Sequence, residues 1–366
     1  MRKECEMLNA ECGMNAAKHC CAPAFSSIRH SSFVIRHSAL GPARGITLIE
    51  LLITMTIIAI ISALIMGTAA SAIENAREKR TQSLVTKIHT LIMERYASYE
   101  TRRVDLHSSI TSAINGRFPD ASSAKQRGEA MADARLLAMR ELMRLEMPDR
   151  WSDVLSRTES PAFLSNLPPL ARQYQKVKYG LNAQNSDSPS IQFQSAECLY
   201  LVVMAATGDG EARTLFNKQE IGDVDGDGAM EFVDGWGRPI SWLRWPAGVV
   251  SDLQPMVGGV RPFDSDHDPI DMFRRDHPDA TRVSGIYTRP ALTAMTTRLA
   301  TGLGAYRLTP LIYSGGPDGE TATHSISNAT DDNAVVDPYS VHGDYLLGTK
   351  TGPEANDNIT NHLIEY

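Results

Sequence analysis

The sequence predicts an α+β protein in which a long N-terminal α-helix, membrane-spanning in its first half, packs on a small antiparallel β-sheet domain with extra helical insertions. Three observations predict this class. Residues 51–70 carry no charged side chain, apolar residues recur at helical spacing well beyond them, and turns rich in glycine and aspartate open the C-terminal region. The remaining composition, 42% hydrophobic and 22% charged, is that of an ordinary globular chain.

The uncharged run at 51–70 is long enough to cross a membrane once. As an α-helix it would extend about 30 Å, which matches the apolar core of a bilayer. Residues 12–49 include basic but no acidic side chains, so the N-terminal side is expected in the cytoplasm and the bulk of the chain outside it. A cleavable secretory signal ending at Ala70-Ser71-Ala72 is the alternative, although the run is longer than the roughly 7–15 residues usual for such a signal.

One carboxylate, Glu50, lies at the start of this apolar region. An ionised side chain there costs roughly a few kcal/mol unless it is paired or close to the interface. Cleavage between Gly45 and Ile46 would create an amino group one helical turn from Glu50, and the two groups would then neutralise each other within a chain or between neighbouring chains. The simpler alternative is a bitopic anchor whose Glu50 lies among the lipid headgroups.

The stretch GITLIE at residues 45–50 resembles the G-F-T-L-I-E signature of type IV prepilins and type II secretion pseudopilins, with isoleucine in place of phenylalanine. This resemblance implies that residues 1–45 are a cytoplasmic leader, that the cut follows Gly45, that Ile46 is N-methylated, and that Glu50 helps to dock each subunit into a filament.

The resemblance also implies partners and a location. The partners would be a prepilin peptidase/methyltransferase, other pilin-like subunits in a homo- or hetero-filament, and an inner-membrane assembly platform with a cytoplasmic ATPase. The subunit would cross the bacterial inner membrane once, with its C-terminal domain in the periplasm, and its filament would lie in the periplasm or at the cell surface.

Removal of the leader would change both the cysteine content and the charge. Only Cys198 would remain, so the mature chain can form no internal disulfide, and its apolar surroundings predict a buried thiol. The leader holds six basic and three acidic residues, so its loss makes the net charge −10 instead of −7. This balance does not indicate binding to nucleic acid.

Helical periodicity continues beyond the apolar run, within a predicted first segment of residues 46–100. The repeating residues are Leu84, Val85, Ile88, Leu91, Ile92 and Tyr96. They predict one helix over about 47–99, with the membrane at about 48–70. A membrane helix and a separate soluble helix joined near Gly67 is the alternative, because glycine weakens helix continuity.

Residues 101–222 are predicted to be a helical and loop insertion. Residues 121–155 are rich in helix-forming residues, residues 161–189 are expected to be loops because of their proline, serine and asparagine, and residues 195–206 are expected to be helical or buried. Four methionines share one face of the first of these segments and predict core packing: Met131, Met139, Met143 and Met147.

The C-terminal region, residues 223–366, opens with a D-x-D-x-D-G sequence that fits the first half of a calcium loop. The predicted calcium ligands are Asp223, Asp225, Asp227, Glu231 and Asp234. A turn that needs no metal is the alternative. A dockerin, which carries two such loops, is disfavoured because the other candidate at 264–275 has proline where glycine is needed.

Two further stretches resemble elements of the major type II pseudopilins. The sequence DGWGRPISW at 234–242 is similar to their D-P-W-G-N-P-Y, and YSGGPDGE at 313–320 is similar to their S-x-G-P-D-G-E. An acidic pair follows the second element in the pseudopilins, and Asp331-Asp332 resembles that pair here. The resemblance implies that Asp318, Asp331 and Asp332 are calcium ligands, although a long insertion separates the two elements here.

Catalysis finds little support in the sequence, which has no G-x-S-x-G, Walker or H-E-x-x-H motif. His267 lies among aspartates that offer metal ligands, but a solvated acidic loop explains them more simply. The predicted function is therefore a pilin or pseudopilin, a structural subunit and not an enzyme. A hydrolase or binding protein held at the surface by the same anchor is the alternative.

Overall fold

The computed structural model describes residues 45–184, 189–206, 214–256, 265–275, 305–325, 338–339, 341–342 and 345–363. The chain forms two compact units, Met1–Ser62 and Ala63–Tyr366. Except for Gly45, the predicted leader lies outside the described residues.

Five α-helices form within the described part of the chain. Their bounds are α1 Leu48–Ser98, α2 Ser108–Arg117, α3 Ala124–Glu146, α4 Pro169–Gln184 and α5 Gln194–Ala206. Helix α1 runs through Gly67 without a break, so the prediction of one long helix is confirmed and that of two helices is wrong. A short 3₁₀ turn at Tyr99–Thr101 follows it.

The strands are short and antiparallel. Their bounds are β1 Ile221–Gly222, β2 Glu231–Phe232, β3 Ser241–Leu243, β4 Leu311–Ser314, β5 Val341–His342, β6 Tyr345–Leu346 and β7 Ile359–Thr360. They form a β1–β2 pair, a β5–β6 pair and a three-stranded β3–β4–β7 sheet. Ser241 lies opposite Tyr313, which in turn lies opposite Thr360. The predicted α+β, pilin-like layout is confirmed, with small sheets in place of a single one.

The second half of α1 supplies one wall of the main hydrophobic core. Leu84, Val85 and Ile88 are completely buried, and they share this core with Trp242 of β3 and Ile312 of β4. Burial of each large apolar side chain contributes roughly 1.5–3 kcal/mol. This repeated burial explains why the helical periodicity of α1 continues beyond its apolar first half.

Residues 161–189 differ from the expectation of loops, because α4 occupies most of them. Pro169 stands at the first helical position, where a missing backbone N–H costs nothing. Ala171, Tyr174 and Leu181 then lie on one buried face. The prolines of this segment predict loops, whereas Pro169 begins a helix.

The core packing predicted for the four methionines and the burial predicted for Cys198 are confirmed. Met139, Met143 and Met147 are buried in the main core, and Met131 packs against a smaller cluster between α2 and α3. Cys198 on α5 is completely buried. Helix α5 contacts β2 and β3, so it connects the helical insertion to the sheets.

A cluster of buried charges lies beside β3. The guanidinium of Arg244 is fully buried, with Nη1 3.0 Å from Oδ2 of Asp153 and Nη2 3.6 Å from Oδ1 of Asp149. Arg150 adds a second cation, with Nε 3.6 Å from each aspartate. Because all four residues are almost excluded from solvent, their charges must balance within the fold.

The buried His362 predicts a loss of stability in acid. Its Nε2 lies 3.2 Å from the carbonyl oxygen of Thr309, and its Nδ1 lies 2.7 Å from Oγ of Ser251. Burial lowers the pKa of His362 to about 4, and the nearby His89 acts in the same direction, while the carbonyls of Thr309 and Pro310 oppose it. The folded pKa is below the unfolded value of about 6.5, so the contribution of this residue is present above that pH and is lost toward pH 4.

We expect His362 to account for about 2–3 kcal/mol of the fall in unfolding free energy between pH 7 and pH 4.5. Urea unfolding of the full chain in detergent at the two pH values measures this fall. His362→Gln keeps a polar side chain that does not titrate, so the unfolding free energy of this variant should fall by about 2–3 kcal/mol less than that of the parent. Equal falls in the two proteins would contradict the assignment.

Candidate processing and assembly site

The segment around the expected cut is exposed. Gly45 and Ile46 precede the first helical residue, and 74% of Ile46 is accessible to solvent. Among the described residues other than its chain neighbours, none places a heavy atom within 4 Å of the position that a Cβ on Gly45 would occupy. Within the Met1–Ser62 unit, the peptide bond between Gly45 and Ile46 is therefore accessible to a protease.

Thr47 and Glu50 form a capping box at the start of α1. The backbone N–H and the hydroxyl of Thr47 both donate to Oε2 of Glu50 at 2.9 Å, and the backbone N–H of Glu50 donates to Oγ1 of Thr47 at 3.3 Å. This reciprocal pair satisfies backbone donors that the first helical turn leaves free. In the uncut chain, the carboxylate of Glu50 therefore has a local partner.

This partner of Glu50 is not among the groups predicted above, although T-x-x-E before an apolar run is the sequence signature of a capping box. Glu50 also stands in the first turn of α1, where the helix dipole favours a negative charge. A cap of this kind uses the carboxylate as an acceptor and leaves its charge uncompensated.

The apolar first half of α1 is exposed on every side. Its most hydrophobic 18-residue window has a mean hydropathy of 2.6, and none of that window is buried. Leu48, Ile58 and Leu64 are each more than 60% accessible to solvent. Among the described residues, α1 is the one helix long and apolar enough to cross a membrane.

Comparison with protein families finds one match in this part of the chain. Residues 42–66 match the prokaryotic N-terminal methylation motif. The matched segment contains the exposed Gly45–Ile46 bond, the capping box and the first turns of α1. No curated protein matches the chain, and no solved structure does.

The methylation motif supports a pilin-type subunit of a pilus or pseudopilus. Such a motif implies processing by a prepilin peptidase and assembly with other pilin subunits. The apolar helix that follows the motif indicates a membrane-anchored protein, and the motif points to a structural subunit rather than an enzyme.

Far along the chain from the methylation motif, the two C-terminal elements lie in contact. Oδ2 of Asp234 accepts a hydrogen bond from the hydroxyl of Ser314 at 2.6 Å, and Nη1 of Arg238 donates to the carbonyl of Gly316 at 3.0 Å. Strands β3 and β4 pair directly beside these bonds. The stretches 234–242 and 313–320 therefore form one structural unit.

Asp234 organises a turn at the start of this unit. Its Oδ1 accepts from the backbone N–H groups of Trp236 at 2.8 Å and Arg238 at 2.9 Å. With Ser314 on Oδ2, both oxygens of the carboxylate accept hydrogen bonds. Asp234 lies outside the carboxylate groups described next, so the structure does not bring it to the other predicted calcium ligands.

Asp318 also lies apart from those groups. It is exposed, and its Oδ1 accepts from the backbone N–H of Glu320 at 2.8 Å. Asp331 and Asp332, the other ligands implied by the resemblance, lie outside the described residues.

Five carboxylates do converge where α5 meets the loop before β2. Asp223, Asp225 and Glu231 form one group, and Glu197, Asp225 and Asp227 form another. Within each group, one oxygen from every residue lies within 4.8 Å of the others. Asp225 belongs to both groups and is the centre of the cluster.

The loop that carries the three aspartates of this cluster is held in place by hydrogen bonds to their side chains. Asp223 accepts from the backbone N–H of Gly226 at 2.7 Å and of Gly228 at 3.1 Å, and Gly228 has a φ of +94°, which favours glycine. The hydroxyl of Ser190 donates to Asp225 at 2.6 Å, and its backbone N–H donates to Asp227 at 2.5 Å.

Glu197 and Glu231 are the buried members of this cluster, with 1% and 0% of each residue accessible. Burial raises the pKa of Glu197 to about 8, and repulsion from Asp227 and Asp225 adds to the increase, while a hydrogen bond from Trp151 opposes it. Burial likewise raises the pKa of Glu231 to about 7. Glu197 is not among the predicted ligands because it precedes Asp223 by 26 positions and belongs to no motif.

The acidic segment around His267 is mostly neutralised by arginines and is not simply solvated. Asp268 is buried with its Oδ2 3.3 Å from Nη2 of Arg140, and Asp266 lies 3.0 Å from Nε of Arg307. His267 contacts Asp271 at 3.4 Å. These contacts give the aspartates a structural role within the described part of the chain.

Proposed function

We propose that the protein is a structural subunit of a type IV pilus-like filament or a type II secretion pseudopilus. The observation that carries this proposal is the coincidence of the methylation motif with an exposed bond at Gly45–Ile46 and an uncovered apolar helix. Lipid covers such a helix before assembly, and sister subunits cover it within a filament.

Cleavage after Gly45 changes the environment of Glu50. The new amino group on Ile46 lies one helical turn away and is positively charged, whereas the backbone N–H of Thr47 is neutral. An ion pair with this amine, in the same chain or in a neighbour, compensates the carboxylate in an apolar environment. Processing thus converts a helix cap into a docking group.

The contact between the C-terminal elements supports the pseudopilin form of this proposal. Their sequences resemble those of the major pseudopilins, and Asp234, Arg238 and Ser314 join them in space. In this form the subunit waits in the inner membrane, with its leader in the cytoplasm and its C-terminal domain in the periplasm. A platform protein and a cytoplasmic ATPase then drive it into the filament.

Cross-linking in host cells tests the proposal. An amine-reactive cross-linker should produce a ladder of species containing this protein, and the ladder should require the prepilin peptidase. A protein that stays monomeric in the membrane while the host's pili or pseudopili assemble would contradict the filament role.

A further inference from the structure

The carboxylate cluster between α5 and the loop before β2 contains oxygens that the fold leaves without partners. Oε1 of Glu197 and Oε1 of Glu231 are both buried and accept no hydrogen bond from the described part of the chain. Each glutamate uses its other oxygen, which accepts from the indole N–H of Trp151 for Glu197 and from the backbone N–H of Val224 at 3.1 Å for Glu231. Among the described residues, no lysine, arginine or histidine forms an ion pair with either glutamate.

Such an arrangement is unfavourable without a cation. A buried carboxylate oxygen without a partner bears the full cost of desolvation, and three neighbouring aspartates add repulsion. The two glutamates belong to the two carboxylate groups that share Asp225. What the cluster lacks is positive charge at its centre.

We propose that Glu197, Asp223, Asp225, Asp227 and Glu231 bind a calcium ion. Calcium lies about 2.3–2.6 Å from its ligands, so oxygens up to about 5 Å apart reach one ion, and the oxygens of each group lie within 4.8 Å. The donor set consists of carboxylate oxygens alone, which suits calcium and disfavours zinc or copper. Five carboxylates also suit the six to eight ligands of calcium better than the smaller shell of magnesium.

The fold explains why this site departs from a helical calcium loop. Asp223, Asp225 and Asp227 occupy its first three ligand positions, and Gly228 makes the sharp turn that follows. At Glu231 the chain enters β2 and not a helix, and Asp234 then lies beside Ser314, which donates a hydrogen bond to it. Glu197 from α5 supplies a buried carboxylate in its place.

This site is independent of the filament role. The calcium ion would join α5, a helix of the insertion, to the loop that leads into β2. The binding energy would therefore stabilise the junction between the insertion and the sheets, whether or not the chain is processed at Gly45.

Calcium titration of the full chain in detergent tests the site. After removal of divalent ions with a chelator, calcium chloride should give a binding isotherm and raise the melting temperature by about 5 °C at a hundredfold excess over Kd. Glu197→Gln and Asp225→Asn should each weaken calcium binding at least tenfold. Asp318→Asn, which changes an exposed carboxylate outside the cluster, should bind as the parent does.

Melting in chelator separates binding from folding. Because Glu197→Gln removes a buried carboxyl group that lies close to Asp225 and Asp227, it should melt at or above the temperature of the parent when calcium is absent. The proposal is overturned if the parent neither binds calcium nor gains stability from it. It is also overturned if Glu197→Gln and Asp225→Asn bind normally, or if Asp318→Asn alone abolishes binding.

Discussion

Glu50→Gln is expected to remove the protein from filaments while leaving α1 and its cap intact. Glutamine accepts the hydrogen bonds of Thr47 as glutamate does, so the capping box survives. It cannot form an ion pair with the new amine of Ile46. Breaking a buried ion pair costs about 3–5 kcal/mol, which corresponds to roughly a hundredfold or greater loss of subunit affinity.

Two variants complete this comparison. Glu50→Val loses both the charge and the cap, and it should insert in the membrane at least as well as the parent. Thr47→Ser keeps the hydroxyl and should assemble normally. The measurement is the amount of each variant in sheared or cross-linked filaments. If Glu50→Gln assembles like the parent and Glu50→Val does not, the carboxylate acts as a cap and its docking role is refuted.

Arg244→Met is expected to destabilise the Ala63–Tyr366 unit by about 3–5 kcal/mol. The substitution leaves the carboxylates of Asp149 and Asp153 buried without the guanidinium that lies 3.0–3.6 Å from them. It also removes the donor that binds the carbonyl of Met147. Urea unfolding of the full chain in detergent, followed by tryptophan fluorescence, measures the change.

The control is Arg103→Met, which makes the same substitution at an exposed position and should stay within about 0.5 kcal/mol of the parent. Adding Asp149→Asn to Arg244→Met should restore part of the lost stability, because Arg150 then balances the one buried carboxylate that remains, that of Asp153. If Arg244→Met and Arg103→Met unfold at the same urea concentration, Arg244 does not stabilise the buried carboxylates of Asp149 and Asp153.

Patterns local to the sequence predicted the helices well when one face was apolar. The extent of α1 followed from the spacing of residues such as Leu84 and Ile88, and the burial of Met143 followed from the same rule. The burial of Cys198 followed from its apolar neighbours in the sequence. Helix α4 was missed because Pro169 is compatible with both a loop and a first helical position. Its buried face, which includes Tyr174, decides in favour of the helix.

The two sites also differ in how far they could be predicted from the sequence. The capping box of Thr47 and Glu50 depends on residues three positions apart and is readable from the sequence. The convergence of Glu197 on Asp225 depends on how α5 packs against β2, which no local pattern encodes. Asp234 failed to join its expected group for the same reason, since strand pairing carries it toward β4.

Mass spectrometry of the N-terminal peptide, taken from protein purified from its host, shows whether the chain is processed as a pilin. We expect a mature chain that begins at Ile46 with a methylated amino group, because cleavage after Gly45 supplies the partner that Glu50 needs in a filament. A chain that retains its leader, or one that begins after Ala72 as a secreted protein would, would contradict it.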